Sequence, residues 1–261
     1  MTAEIRNETG DDQAASPLPR DAAYWAGPVD RLKLGQVPAG AMNMNVEGRE
    51  LTGPLRGFGQ MWQKTYKIAL AGAVCTPEEV IRVWKDNFPS FWPKYNRFYT
   101  SDSGIQPGEV ALINTLAPGN NPVMSTGVMV IYADDESFTF MTPEGHPFSG
   151  WVTFSAFVEN ETTMAQAQVL IRAADPLYEI GFRLGLLHKG EDMIWHHTLR
   201  SLAGYYGVDG IVQQKVTLID PKVQWSQAGK VWKNAGIRSM LYAPVAAFKK
   251  MVGRSGSQEA A

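Results

Sequence analysis

Cysteine is almost missing: Cys75 is the only one in 261 residues. A lone cysteine makes no internal disulfide and supplies no thiolate cluster for zinc. Long hydrophobic runs are missing too. None approaches the ~18 apolar residues of a membrane-spanning helix, and the first 25 residues lack the charged-then-apolar pattern of a signal peptide. Gly-x-Ser-x-Gly, Gly-x-Gly-x-x-Gly and P-loop patterns do not occur, which withholds support from hydrolase elbows and common nucleotide sites. An excess of one charge is also lacking. The chain holds 24 Lys+Arg against 26 Asp+Glu, a formal net charge of −2, and no nucleic-acid recognition motif accompanies it.

What is present is ample core material: 44% hydrophobic and 19% charged residues, enough to exclude wholesale disorder. Residues 1–30 carry Asn, Asp, Ser and Pro without apolar periodicity and read as a disordered acidic tail. Residues 31–60 are rich in Gly and Pro and predict an irregular arm lying over a surface. Periodic structure begins at Met61, and a domain over 61–210 follows.

Thr65–Ala71 reads as a strand. Thr76 as cap, Pro77 at the first helical position and Glu79 three residues after the cap start a helix carrying Val80, Val83 and Trp84. Pro89 and Pro93 are expected to break it. Segments 109–116, 126–133, 137–141, 150–158 and 163–173 are rich in Val, Ile, Thr and aromatics, with turn-like links that imply an antiparallel meander; Arg97–Ser101 adds a candidate strand. After Asp175-Pro176 the period becomes helical, with Leu177, Ile180, Leu184 and Leu187 in one stripe and Trp195, Leu199, Leu202 and Tyr206 in another. An interruption is expected at Lys189-Gly190.

This order of elements is that of the helix-grip fold: α+β, a curved antiparallel sheet around a long C-terminal helix. The sequence also resembles an uncharacterised bacterial and plant family within the START and pollen-allergen-like superfamily, which includes polyketide cyclases. The residues that carry the resemblance are Ser125-Thr126-Gly127-Val128-Met129-Val130-Ile131-Tyr132, Phe138-Thr139-Phe140, Pro143-Glu144-Gly145-His146-Pro147, Leu170-Ile171-Arg172-Ala173 and Asp175-Pro176-Leu177. It spans roughly Gln63 to Val208. The resemblance implies an interior pocket for a hydrophobic small molecule or lipid. No cofactor is expected.

Candidate pocket residues are Tyr132, His146, Trp151, Phe154, Arg172 and Tyr178. His146, in a Gly-His-Pro turn, is either a rim donor or a tie within the turn. Arg172 alternates onto the strand face of Gln166 and Gln168. If that face lines the cavity, Arg172 anchors a carboxylate or carbonyl; if it faces solvent, Arg172 is a surface residue, and this second reading is the more natural. His188, Asp192 and His196 stand at i, i+4 and i+8, a row that on one helix drifts without converging, so no metal site is assigned. Cys75 has no nearby histidine and reads as a buried structural thiol.

The neutral total hides a division. Residues 1–220 hold 17 basic and 25 acidic groups, whereas 221–261 hold 7 and 1. The segment 211–261 therefore reads as a basic amphipathic extension, with Pro244 kinking or dividing its helix. Trp232, Lys233, Arg238, Phe248, Lys249 and Lys250 form a candidate surface for an anionic membrane or a partner. The expected function is non-catalytic binding of a hydrophobic ligand, in the cytoplasm or peripherally at a membrane. The alternatives are a cyclase or aromatase acting on a carbonyl-rich substrate through His146, Arg172 and Tyr132, and an interaction protein whose pocket is filled by its own side chains.

Overall fold

Alternation along the strands and two capped helices set the architecture. The structure is a computed structural model that describes residues 20–118 and 121–242. Thr76 caps α2 (Pro77–Phe91), its hydroxyl accepting from the Glu79 amide at 3.2 Å. Pro89 lies inside that helix without ending it. A proline removes one backbone donor, and here it does so in the last turn, which burial of Phe88, Phe91 and Trp92 holds in place. A four-residue helix, α1 (Arg20–Ala23), precedes it.

Eight strands form one antiparallel sheet: β1 (Met61–Ala69), β2 (Asn96–Tyr99), β3 (Val110–Ala117), β4 (Asn121–Ala133), β5 (Ser137–Met141), β6 (Phe148–Glu159), β7 (Thr162–Ala173) and β8 (Gln213–Asp220), in the order β2-β3-β4-β5-β6-β7-β1-β8. The sheet curves around α4 (Leu186–Tyr205), which packs on β1, β7 and α2. This is the helix-grip arrangement. The helical segment after Asp175 divides into α3 (Pro176–Arg183) and α4. The break falls at Gly185, whose φ of +74° is the left-handed conformation that favours glycine, and not at Lys189-Gly190, which α4 runs through.

The concave face of the sheet holds the main core. Phe88, Phe138, Phe140 and Phe154 pack with ring centroids 4.7–5.8 Å apart, and Trp84 and Trp195 close on them. The convex face holds a second, smaller core that the sequence reading of the arm did not foresee. Leu32 and Val46 of the arm bury against Val110, Leu112 and Met129, because β3 and β4 present apolar side chains on both faces.

The sheet also continues past residue 210. β8 pairs with β1 in the register Thr65↔Lys215, and a 3-10 helix over Trp225–Lys233 and a helix over 235–242 follow it. Among the described residues no helix is long and apolar enough to cross a membrane.

Candidate functional site

Between the concave face and α4 lies a cavity of about 260 Å³. Its walls come from the end of α2 (Trp92), β2 (Asn96, Phe98), β3 (Ile113, Thr115), β4 (Met124, Thr126, Val128), the turn carrying His146, β7 (Val169, Ile171) and α4 (Leu187, Glu191, Ile194, Trp195). Two further lining residues, Met193 and Tyr95, are 58% and 47% exposed and mark where the cavity reaches solvent.

Polar groups in this wall are few, and several lack partners. The Trp92 indole N–H and the Thr126 hydroxyl are buried without a hydrogen bond. His146 Nδ1 accepts from the Phe148 amide at 3.0 Å and lies 3.2 Å from the Phe148 carbonyl; the shorter contact, with an N–H directed at Nδ1, favours the neutral tautomer whose proton is on Nε2. Burial pushes the imidazole down to about 4, so the ring is neutral at physiological pH. Asn96 Oδ1 accepts from the Thr115 hydroxyl at 2.9 Å, leaving the amide NH₂ as a donor.

Behind the wall sits a charged cluster that the sequence reading missed. Lys64 of β1, fully buried, lies 2.8 Å from Glu191 Oε2 and 2.8 Å from Asp192 Oδ1. Tyr66 donates to Asp192 at 2.6 Å, and the Trp195 indole donates to Glu191 Oε1 at 3.3 Å. Burial raises the Glu191 carboxyl above its ordinary range against the pull of Lys64. For Asp192, burial is outweighed by the hydrogen bonds from Lys64 and Tyr66, which hold the carboxyl below its ordinary value. Two signals were available. Lys64 and Tyr66 share strand parity with Ile68, and Glu191 stands midway between Leu187 and Trp195 in the apolar stripe.

The six expected pocket residues separate. His146 and Trp151 line the cavity. Phe154 is a core ring stacked on Phe138 at 4.7 Å and is absent from the wall. Tyr178 lies outside the cavity; its hydroxyl accepts from the Gly236 amide at 3.1 Å and donates to Met124 Sδ at 3.7 Å. Tyr132 is on the arm side, donating to Asp134 beneath the edge of Trp25. Arg172 faces the convex side, as its parity with the glutamines favours. There it is buried, not solvated, because its guanidinium donates to the carbonyls of Gly59 and Lys222 and pairs with Asp220. Hence His146, Arg172 and Tyr132 do not converge.

The row His188, Asp192 and His196 is spent elsewhere. His188 meets Trp62 and Phe182 edge-on, and His196 Nε2 is 3.1 Å from Gln214 Oε1. Among the described residues no group of three or more His, Cys, Asp and Glu is placed to hold a metal. Cys75 is half-buried, not fully buried, with its thiol pushed up by burial.

The basic extension is bound to the body through specific partners. Lys233 pairs with Glu144 at 2.7 Å, and Arg238 donates to Asn45 Oδ1 at 3.0 Å. Asn234 donates to Asp175 at 2.8 Å. The backbone crosses directly over Gly145 (φ +89°), where a side chain would collide with the Lys233 carbonyl; the Ala235 amide donates to the Gly145 carbonyl at 2.9 Å. Trp232 is 84% exposed. Phe248, Lys249, Lys250 and Pro244 lie outside the described residues.

No protein-family model and no curated protein matches the chain. Solved structures do match. A di-domain aromatase/cyclase, StfQ, from the steffimycin biosynthetic pathway matches at 13% identity over 57% of this chain, with a TM-score of 0.42. The chain spans about half of that protein, 52% of its length. A START superfamily protein from Mycobacterium smegmatis matches at 18% identity over 57% of this chain and 98% of its own, TM-score 0.39. The major latex-like protein 151 of Panax ginseng matches at 11% identity over 57% and 99%, TM-score 0.36. Likenesses this distant carry no weight for activity, and the fold assignment rests on the strand order and the gripped helix. The matched structures are of START and latex-protein type, the superfamily that the strand and turn motifs of this chain resemble.

Proposed function

We propose that this chain binds a hydrophobic small molecule in the interior cavity and does not transform it. The observation that carries this reading is an apolar space of about 260 Å³ kept open between the sheet and α4 in an otherwise close-packed core. A dry apolar cavity of ~150 Å³ accommodates a benzene ring, so this one suits a compact ligand of about ten heavy atoms. A long acyl chain exceeds that space, which favours a small molecule over a whole lipid. The cyclase reading lacks its convergent set, since Arg172 and Tyr132 lie away from the cavity.

Native mass spectrometry of the protein purified from cells tests the reading. The expected result is a co-purifying small mass that is lost in Val169→Trp, a substitution that fills the cavity. Ligand-free protein from several expression hosts, combined with no binding of compact apolar probes, sinks it.

A further inference from the structure

We infer that the cavity selects an uncharged ligand bearing hydrogen-bond acceptors, such as a ketone, aldehyde or ester on a compact apolar frame, and rejects a carboxylate of the same size. The inference rests on the binding function proposed above and narrows its ligand. It comes from counting what the wall offers and what it has already used.

First, no Lys or Arg lines the cavity among the described residues. The two buried cations nearest in the fold are committed: Lys64 to Glu191 and Asp192, and Arg172 to the opposite face of the sheet. A carboxylate entering this space would lose its hydration and meet no counter-ion, which drives it out or forces it to protonate. The one acid in the wall, Glu191, is ion-paired with Lys64 and offers no counter-charge.

Second, the unused polar groups are mainly donors. The Asn96 amide NH₂ has no partner, and neutral His146, in the tautomer its Nδ1 contact favours, carries its proton on Nε2, whereas the Trp92 indole N–H is unpaired but sealed from the open space. The acceptors are largely committed. Glu191 Oε1 accepts from Trp195, its Oε2 is ion-paired with Lys64 at 2.8 Å without an aligned hydrogen bond, and Thr142 Oγ1 accepts from the Gly150 amide at 3.1 Å. The Thr126 hydroxyl can turn either way.

Third, the donors stand at two ends. His146 lies beside Phe148, which packs on Phe182 of α3, just ahead of α4. Asn96 stands on β2 with Phe98, whose ring packs on Trp92, and Trp92 meets Trp195 of α4 5.6 Å away. Apolar side chains of β3, β4 and β7 fill the length between. A ligand with an apolar body and an acceptor at one end or both matches this layout.

Three probes with equal numbers of heavy atoms separate the possibilities: butyrophenone, pentylbenzene and 3-phenylpropionate, titrated calorimetrically into the full chain at pH 7. Butyrophenone is expected to bind roughly tenfold tighter than pentylbenzene, the worth of one satisfied donor, with no detectable binding of the carboxylate. In Asn96→Leu and His146→Phe the ketone-to-hydrocarbon ratio should fall toward one while pentylbenzene still binds; if one variant fails to fold, the other carries the comparison. Carboxylate binding as tight as the ketone overturns the inference, and so does equal binding of ketone and hydrocarbon. Either result leaves the binding function standing. Binding of none of the three, with no co-purifying mass, removes both.

Discussion

The two faces of the sheet treat buried polar groups in opposite ways. On the convex face, where the arm and the C-terminal segment meet, partners are supplied. Asn45 donates to the Ser125 carbonyl at 2.8 Å and to Ser239 at 3.1 Å, and Asn234 donates to Asp175 at 2.8 Å. On the concave face, the Trp92 indole and Thr126 hydroxyl lie in the cavity wall with none. A seam that ends within one chain can be closed by that chain, and native proteins leave few buried polar atoms unpaired. On the proposed binding function, an unpaired group in the cavity wall is a place where a ligand would supply the missing partner.

The largest effect should come from the concave exception, where charge is buried with its partner. Lys64→Met leaves Glu191 almost fully buried without its cation and should cost about 3–5 kcal/mol in urea unfolding. Adding Glu191→Leu should restore most of that loss. Arg172→Met on the convex face should cost less, about 2 kcal/mol, because Asp220 is one-third exposed and can return to water. Equal costs would break the distinction between a charge sealed in the core and one sealed in a seam.

Next in size is a pH effect confined to the cavity wall. His146 has an ordinary pKa of 6.5 but is held down to about 4 in the folded chain. The unfolded chain therefore takes up the proton first as pH falls, and stability declines between about 6.5 and 4. The loss is about 3 kcal/mol at the lower end. His188, also lowered to about 4 by burial and by Lys64, acts in the same window, but it is half exposed and contributes less. The depressed carboxylates Asp192 and Asp220 act lower, losing their contribution as pH falls below their ordinary 3.8. The difference in unfolding midpoint between the native chain and His146→Phe, measured from pH 7 to 4.5, isolates the histidine; parallel curves would refute it.

The seam itself is tested by Ser239→Ala. Its hydroxyl accepts from Asn45 and from the Ser125 amide, both at 3.1 Å; removal leaves the buried Ser125 amide wanting, while Asn45 keeps the Ser125 and Ala235 carbonyls, and should cost about 1 kcal/mol. Thermal unfolding that is unchanged would mean water replaces the hydroxyl and the seam is looser than its contacts imply.

How far the sequence foretold this contrast depends on the range of each contact. The Thr76 cap, the change to a helical period after Asp175-Pro176, the alternation of β7 and the stripe of α4 are local patterns, and each appears where the residues predict it. The parity that groups Arg172 with Gln168 assigned its face. Its burial was illegible, because Gly59, Asp220 and Lys222 lie far along the chain and only the closed sheet brings them together. Lys233 and Arg238 read as free surface charge for the same reason, their partners being in the 143–147 turn and the arm. Lys64 was hidden likewise. Alternation groups Lys64 with Tyr66 and Ile68 and so pointed it inward, but a lysine in the core needs partners, and Glu191 and Asp192 lie far along the chain.

The smallest effect has the opposite sign, and that sign is what discriminates between the faces. Thr126 and Ser239 both carry hydroxyls sealed from solvent. Ser239 is answered by two donors, whereas Thr126 in the cavity wall is answered by none. A buried hydroxyl without a partner retains its desolvation cost, and replacing it by a methyl group of the same shape removes that cost. Thr126→Val should therefore stabilise the ligand-free protein by about 1 kcal/mol, while Ser239→Ala destabilises it. If the Thr126 hydroxyl also serves an acceptor on the ligand, the same valine should weaken butyrophenone binding while leaving pentylbenzene unchanged. A stabilised protein with weakened ketone binding would mean that this residue trades fold stability for recognition. A destabilised Thr126→Val would show that the hydroxyl has an internal partner after all, and the contrast between the two faces would then rest on Trp92, Asn96 and His146 alone.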